Sequence, residues 1–446
     1  MGRLFGTDGV RGVANRELTP ELAFKLGRAA AHVLLKEKTG RMLLGRDTRL
    51  SGQMLEAALV AGVTSTGVSA ELLGVIPTPG VAYLTARREN AVGAMISASH
   101  NPIEDNGIKF FTAEGYKLED ETEDEIEAYL EEEQAGAICR PTGTGVGRVI
   151  FSPRAEEEYL DFLVRTVKEK FHGLTVVVDC AFGAAYNVAP RVLEALGARV
   201  ITLHAEDDGS RINVDCGSTN PERLCREVLQ NGAQVGLAHD GDADRVIAVD
   251  EKGEVVDGDA IMAVCGLQML AEDRLPHRTI AATVYSNLGL IETFREAGGN
   301  VLVTENGDRW VLAAMREKGL LLGGEQSGHI IFLEHNTTGD GIITALQLLS
   351  TMIRSGQSLS VLARRLKRFP QLLANVRVAR KEGWEDNQEI QKAIGEAQDR
   401  LGKEGRIYVR ASGTEPLIRV MVEGPDRKVL KSLQERVTGV IREQLS

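Results

Sequence analysis

The stretch Thr175-Val-Val-Val-Asp-Cys-Ala-Phe-Gly-Ala184 reads as a buried β-strand running into a loop of small residues. A helical pattern then reaches Leu196, and a second strand spans residues 199–203. The same order recurs on either side. Residues 41–45 make a candidate strand, 46–52 a polar loop and 53–67 a helical stretch. Residues 279–284 open a third unit, which turns at Asn287-Leu-Gly289 and continues through a helix to a strand over 301–303. Alternating strands and helices imply α/β layers with parallel or mixed sheets. None of these loops has the G-x-G-x-x-G spacing of a dinucleotide site, which argues against a nicotinamide cofactor.

Residues 370–446 follow another plan. A strand-like segment at 375–378 precedes a helix over about 387–401. Strands at 406–410 and 417–422 then flank a polar loop, and a terminal helix follows. That is a compact α+β module. A chain of 446 residues exceeds the size at which one core stops growing. Its divisions are placed at 1–150, 151–255, 256–369 and 370–446.

Bulk properties exclude several classes. A net charge of −12 argues against a general nucleic-acid binder. The densest apolar run, residues 261–270, is too short to cross a bilayer and contains Gly266 and Gln268. The N-terminus lacks an apolar signal core, and Gly6 stands where a myristoylation motif needs Ser or Thr. Five scattered cysteines without a C-x-x-C pair point to reduced thiols. A cytoplasmic protein without membrane contact is expected. The acidic run 119–133 places Ile126, Tyr129 and Leu130 at helical spacing and reads as a solvated helix.

The chemistry lies in short polar loops. Asp240-Gly-Asp-Ala-Asp-Arg245 sets three carboxylates at alternating positions between strand-like segments, able to converge on one hard cation such as Mg²⁺. An EF-hand would need Gly at Arg245 and flanking helices. An aspartyl-phosphate phosphatase with Asp240 as nucleophile, or a plain acidic turn, are the alternatives for this loop alone. Ile96-Ser-Ala-Ser-His-Asn-Pro102 places Ser99 beside His100 in a turn. Asp105-Asn-Gly107 reads as a further turn, and the strand 108–111 carries Lys109. Arg410-Ala-Ser-Gly-Thr-Glu-Pro416, followed by Arg419, suits a dianionic phosphate held by guanidinium groups and backbone N–H groups. Gly323-Gly-Glu-Gln-Ser-Gly-His329 offers Glu325 and Ser327 to sugar hydroxyls, and Gly6-Thr-Asp-Gly-Val-Arg-Gly12 offers Arg11 to a phosphate.

Taken together and in this order, these loops resemble the α-D-phosphohexomutase superfamily over essentially the whole chain. The resemblance implies a four-domain architecture around a central cleft, three α/β mixed-sheet domains and a C-terminal α+β domain like the TATA-binding protein. It implies that Ser99 carries a phosphoryl group and that Asp240, Asp242 and Asp244 hold Mg²⁺, the Ser99 phosphate completing the site. Glu325, Ser327 and His329 then match the sugar-reading loop. Arg410, Ser412, Gly413, Thr414 and Arg419 match a distal phosphate clamp. Arg11, His100, Lys109 and Arg245 match positions near the transferring phosphate, and either His100 or Lys109 is left to move the proton.

Thr304-Glu-Asn-Gly-Asp-Arg-Trp310 matches the loop that helps choose the sugar, with Asp308 and Arg309 toward substrate, although Asn306 and Trp310 replace an expected Val and Tyr. Ala243 and Gln326 stand where phosphomannomutase and phosphoglucomutase relatives commonly have Gly and Met. They favour the branch that interconverts glucosamine 6-phosphate and glucosamine 1-phosphate. The implied partners are a phosphosugar, a 1,6-bisphosphate of glucosamine or glucose as activator and intermediate, and a second copy bound through the first domain.

Overall fold

A computed structural model describes residues 3–6, 8–35, 40–131, 136, 138–412 and 416–445. They form two compact units, residues 3–285 with 299–365, and residues 286–298 with 366–445.

The first unit holds three sheets. β1 (Val10–Val13), β2 (Arg41–Arg46), β3 (Ser69–Val75), β4 (Ala91–Ile96), β5 (Asp105–Phe111) and β6 (Val149–Phe151) form a mixed sheet in the order β1-β5-β4-β2-β3-β6. Parallel pairing of β2 with β3 and β4 is the expected α/β core, whereas β5 runs antiparallel to both β4 and β1. Every residue of β4 is buried, which suits its near-continuous apolar sequence.

Two sequence expectations change here. Residues 105–107 are not a turn: they extend β5, with Asp105, Asn106 and Gly107 opposite Val13, Gly12 and Arg11. The turn propensity of Asn and Gly is overridden by pairing with a strand far upstream. The helix expected over 53–67 is Leu50–Thr64, starting right after Arg49, whose extended backbone caps it.

The second sheet contains β7 (Thr175–Asp179), β8 (Arg199–Leu203), β9 (Val235–His239), β10 (Val246–Asp250) and β11 (Val255–Val256), ordered β11-β10-β9-β7-β8. β7 pairs in parallel with β8 and β9, and β10 turns back antiparallel on β9. The third contains β12 (Thr279–Thr283), β13 (Asn300–Thr304), β14 (Leu322–Gly324) and β15 (Ile330–Phe332), ordered β13-β12-β14-β15. The apolar run at 261–270 lies in the buried helix Gly258–Ala271. Among the described residues no helix is long and apolar enough to cross a membrane. The acidic helix is Asp120–Ala128; it buries Ile126 but also Glu123, which is therefore not a solvated side chain.

In the second unit, β16 (Gln371–Arg377), β17 (Arg406–Ala411) and β18 (Leu417–Glu423) form an antiparallel sheet with β18 central. The helices Gln388–Leu401 and Arg427–Leu445 close the core around Val376, Ile390, Ile418, Val437 and Ile441. The helix Leu288–Glu296 joins this unit although its flanking strands belong to the first. Asn287 exchanges two 2.9 Å hydrogen bonds with the backbone of Phe369, and Leu288 N–H donates to Glu423 Oε1 at 2.9 Å.

Candidate active site

The antiparallel pair β9 and β10, with His239 opposite Val246, makes residues 240–245 a tight connection. Ala243 takes a left-handed φ of 58°, and its N–H donates to the Asp240 carbonyl at 3.1 Å. The turn folds Asp240, Asp242 and Asp244 inward. All three are buried, with one carboxylate oxygen of each within 4.8 Å of the others. Asp242 Oδ2 accepts from Thr78 Oγ1 at 2.6 Å and from Lys109 Nζ at 2.9 Å. Its Oδ1, and Oδ1 of Asp244, are buried without a hydrogen-bond partner among the described residues.

Such orphaned acceptors cost free energy unless something occupies them. Burial, then the Asp244 and Asp242 charges, push the Asp240 carboxyl well above the ordinary range. Burial opposes ionisation of Asp242 too, but Lys109 and Thr78 hold it well below that range. An all-oxygen donor set with unpaired oxygens and mutual repulsion fits a hard divalent cation. The flanking strands exclude an EF-hand.

β4 delivers Ser99 to this cluster. Ser99 has a left-handed φ of 53°, which costs an L-residue with a Cβ about 1–2 kcal/mol. Its Oγ donates to Asp240 Oδ2 at 2.6 Å and lies 3.3 Å from His100 Nδ1. Arg245 Nη1 is 3.1 Å from that same nitrogen. A guanidinium only donates, so Nδ1 carries the lone pair and His100 is protonated on Nε2. Burial, with Arg245 and Arg11, lowers His100 to about 4. Gly241 lets the two loops touch: a Cβ there would stand 2.6 Å from the Ser99 carbonyl oxygen.

Lys109 projects from β5, buried between Asp242 at 2.9 Å and Asp8 Oδ2 at 3.2 Å. Burial opposes its charge, but these carboxylates outweigh it and raise the ammonium above its ordinary value. Asp8 also pairs with Arg11 on β1 and with Lys117 Nζ at 2.6 Å, and Lys117 reaches Asp308 at 2.5 Å. Sequence reasoning passed over Asp8, Lys117 and Thr78. Asp8 lay inside a quoted loop; nothing in the local pattern marked the other two.

The loop between β14 and β15 brings His329 to the same centre, its Nε2 3.8 Å from Asp244 Oδ2 and 3.7 Å from Asp308 Oδ2. Arg245 and His329 form a backbone bridge, which joins the two loops. Glu325 accepts from Ser327 Oγ at 3.3 Å. Arg309 pairs with Asp120 and lies 3.5 Å from Glu123 on the acidic helix. Trp310 is half exposed and lines a pocket of about 140 Å³ with Tyr116 and Arg316.

In the second unit Arg410 and Arg419 stand directly opposite one another on β17 and β18, hence on one face of the sheet. Lys381 Nζ donates to the Ser412 carbonyl at 2.7 Å. Gly413 and Thr414 lie outside the described residues.

Domain models described as phosphoglucomutase/phosphomannomutase, alpha/beta/alpha domains I, II and III and C-terminal domain, match residues 2–137, 157–253, 257–369 and 373–440. A phosphoglucosamine mutase of Heliobacterium modesticaldum is 55% identical, covering 99% of this chain and 100% of that one. The chain belongs to the phosphoglucosamine mutase family. Among solved structures, a phosphoglucomutase/phosphomannomutase family protein from Burkholderia thailandensis is 25% identical, covers 98% of this chain and 97% of its own, and gives a TM-score of 0.83. N-acetylphosphoglucosamine mutase of Aspergillus fumigatus, solved with GlcNAc-6P and magnesium, shares the fold at 19% identity and a TM-score of 0.72, over 99% of this chain and 96% of its own. Membership in the phosphoglucosamine mutase family makes the chain a phosphohexose mutase, an isomerase that moves a phosphoryl group.

Proposed function

We propose that this phosphohexose mutase interconverts glucosamine 6-phosphate and glucosamine 1-phosphate, with Ser99 as the phosphate carrier and glucosamine 1,6-bisphosphate as the bound intermediate. The observation that carries this reading is the 2.6 Å hydrogen bond from Ser99 Oγ to Asp240 within a buried triad of aspartates. A hydrolase using Asp240 would have no need of a serine held there.

Asp240, Asp242 and Asp244 would hold Mg²⁺, the ion found with the Aspergillus relative. Bound there, it neutralises charge on the transferring phosphoryl oxygens. In the first step the phosphoryl group leaves Ser99 Oγ for O1 of glucosamine 6-phosphate; O1 loses its proton and Ser99 regains one. In the second, the 6-phosphoryl group moves to Ser99 Oγ, the serine proton is released and O6 is protonated. Ser99 directs its proton to Asp240 Oδ2, and His100 Nδ1 is the other acceptor in reach. Arg11, Arg245 and Lys109 supply positive charge around the reacting group, which is most of what phosphoryl transfer asks of a protein. Arg410 and Arg419 suit a phosphate by their side-by-side placement.

The test is kcat/KM for glucosamine 6-phosphate, glucose 6-phosphate and mannose 6-phosphate, with Mg²⁺, a trace of 1,6-bisphosphate and Ser99→Ala as control. Preference for the amino sugar, lost in the variant, is the expected result. Preference for glucose or mannose would move the sugar assignment to the phosphoglucomutase/phosphomannomutase side and make Asn306 and Trp310 the better guide. Normal turnover by the variant would end the role given to Ser99.

A further inference from the structure

We infer that Arg49 and Asn213 are positioning residues for the phosphate carrier, an inference that rests on Ser99 having that role. Arg49 is a fully buried arginine whose guanidinium is held among the carbonyls of the Ser99 loop. Nη2 donates to the carbonyls of Ser99 at 3.0 Å and Asn101 at 2.8 Å. Nη1 donates to those of Asp105 at 3.0 Å and Pro102. Its Nε pairs with Asp47 Oδ2 at 3.1 Å. Asp47 also accepts from Ser97 Oγ at 2.6 Å, and Ser97 Oγ accepts from the Ser99 N–H at 2.9 Å. Both backbone polar groups of Ser99 are therefore anchored to one buried ion pair, through Ser97 on one side and Arg49 on the other.

The second anchor comes from the neighbouring domain. Asn213 Nδ2 donates to the Ser99 carbonyl at 2.9 Å and lies 3.3 Å from that of Asn101. Asn213 is itself left-handed, with φ 60°, and its N–H is tied to the Ala181 carbonyl at 3.0 Å. The seam between the domains is close: Thr48 Oγ1 donates to the Phe182 carbonyl at 2.5 Å, and a Cβ on Gly209 would stand 1.8 Å from the Thr48 carbonyl oxygen. The Ser99 carbonyl thus takes one donor from each domain, and its φ of 53° is maintained by both. A strained turn so over-determined aims Oγ at Asp240. The guanidinium brings five donors in a fixed planar fork and reaches four carbonyls and Asp47 here, whereas a lysine ammonium has only three donors at a single nitrogen.

The test compares Arg49→Lys, Asn213→Gly and their double variant with wild type, reading kcat, KM for glucosamine 6-phosphate, Ser99 phosphate by intact mass, and Tm. Asn213→Gly keeps the positive φ and removes only the side-chain donor. The expected result is a fall in kcat of at least about tenfold in each single variant with KM within about twofold, because misplacing a reacting atom costs rate rather than affinity. The double variant should lose less than the product of the two, since both donors act on one carbonyl. Unchanged kcat, or a rise in KM alone, overturns the inference while an inactive Ser99→Ala leaves the carrier role standing. Turnover in Ser99→Ala brings down both. If Arg49→Lys does not accumulate as folded protein, the half-buried Asn213 decides the matter by itself.

Discussion

Ser99 Oγ lies 2.6 Å from Asp240 Oδ2, a hydroxyl aimed at a carboxylate that burial and two further aspartates already make reluctant to ionise. A phosphoryl group on that oxygen would add negative charge to a buried acidic cluster. Two like charges 4 Å apart repel by about 4 kcal/mol at an effective dielectric of 20. Phosphorylation and cation binding must then be linked, each raising the affinity for the other.

Protein carrying phosphate on Ser99 should bind Mg²⁺ at least about tenfold more tightly than the dephosphorylated protein or Ser99→Ala, as read by calorimetry. Asp242→Asn replaces one carboxylate oxygen with an amide nitrogen, removes the negative charge, and should weaken Mg²⁺ in both forms, with activity falling in parallel. Equal affinities in the phosphorylated and free forms would separate Ser99 from the cation.

The Arg410–Arg419 pair places two cations opposite one another across β17 and β18. Two guanidinium groups on one face of a sheet suit bidentate recognition of a phosphate. Arg419→Ala should raise KM about tenfold and leave kcat within about threefold, the signature of binding common to ground and transition states. A fall in kcat at constant KM would assign the pair to the transfer step itself.

Asp340 caps the helix Gly341–Ser355 through the N–H groups of Ile342 and Ile343 and accepts from Tyr159 Oη at 2.7 Å. Burial pushes its carboxyl up to about 6, even though these donors favour the ionised form. The folded acid is weaker than the unfolded one, near 3.9. Its contribution to stability is therefore complete below pH 4 and is lost as pH rises through about 6, an effect of about 3 kcal/mol. Asp340→Asn should flatten the wild-type stability curve across that window in urea titrations. Parallel curves for the two proteins would mean Asp340 is ionised throughout.

Thiol chemistry offers an independent check on packing. Cys139 is exposed and Cys225 half-buried, while Cys180, Cys216 and Cys265 are buried. Burial pushes the Cys216 and Cys265 thiols up to about 12. A disulfide reagent at pH 8 should modify Cys139 first and Cys225 more slowly, the other three reacting only on unfolding, as identified by peptide mass. Rapid modification of Cys265 in folded protein would contradict the buried helix Gly258–Ala271.

Local order was legible in the residues themselves. Apolar runs bounded by Gly, Asn and polar loops marked β2, β7, β9, β10, β12, β17 and β18, because each strand's neighbours in sequence carry its signal. So did the identity of the loops: Asp240, Asp242 and Asp244 at alternating positions, Ser99 beside His100, and Arg410 with Arg419. Residues 105–107 misled, since Asn and Gly look like a turn until β1, nearly a hundred positions away, pairs with them.

The tertiary structure decided which of these groups meet. Ser99 and Asp240 are 141 positions apart, Lys109 and Asp242 are 133, and Lys117 and Asp308 are 191. No local pattern encodes such encounters. They arise because burying the apolar faces of separate sheets leaves the polar ends of β4, β5 and β9 against one another, and a buried charge must find a partner there. The same requirement turned Arg309 toward Asp120 and Glu123, and drew Arg49 under the loop that holds Ser99. Composition and spacing singled out candidate polar groups; only packing could set the distances between them.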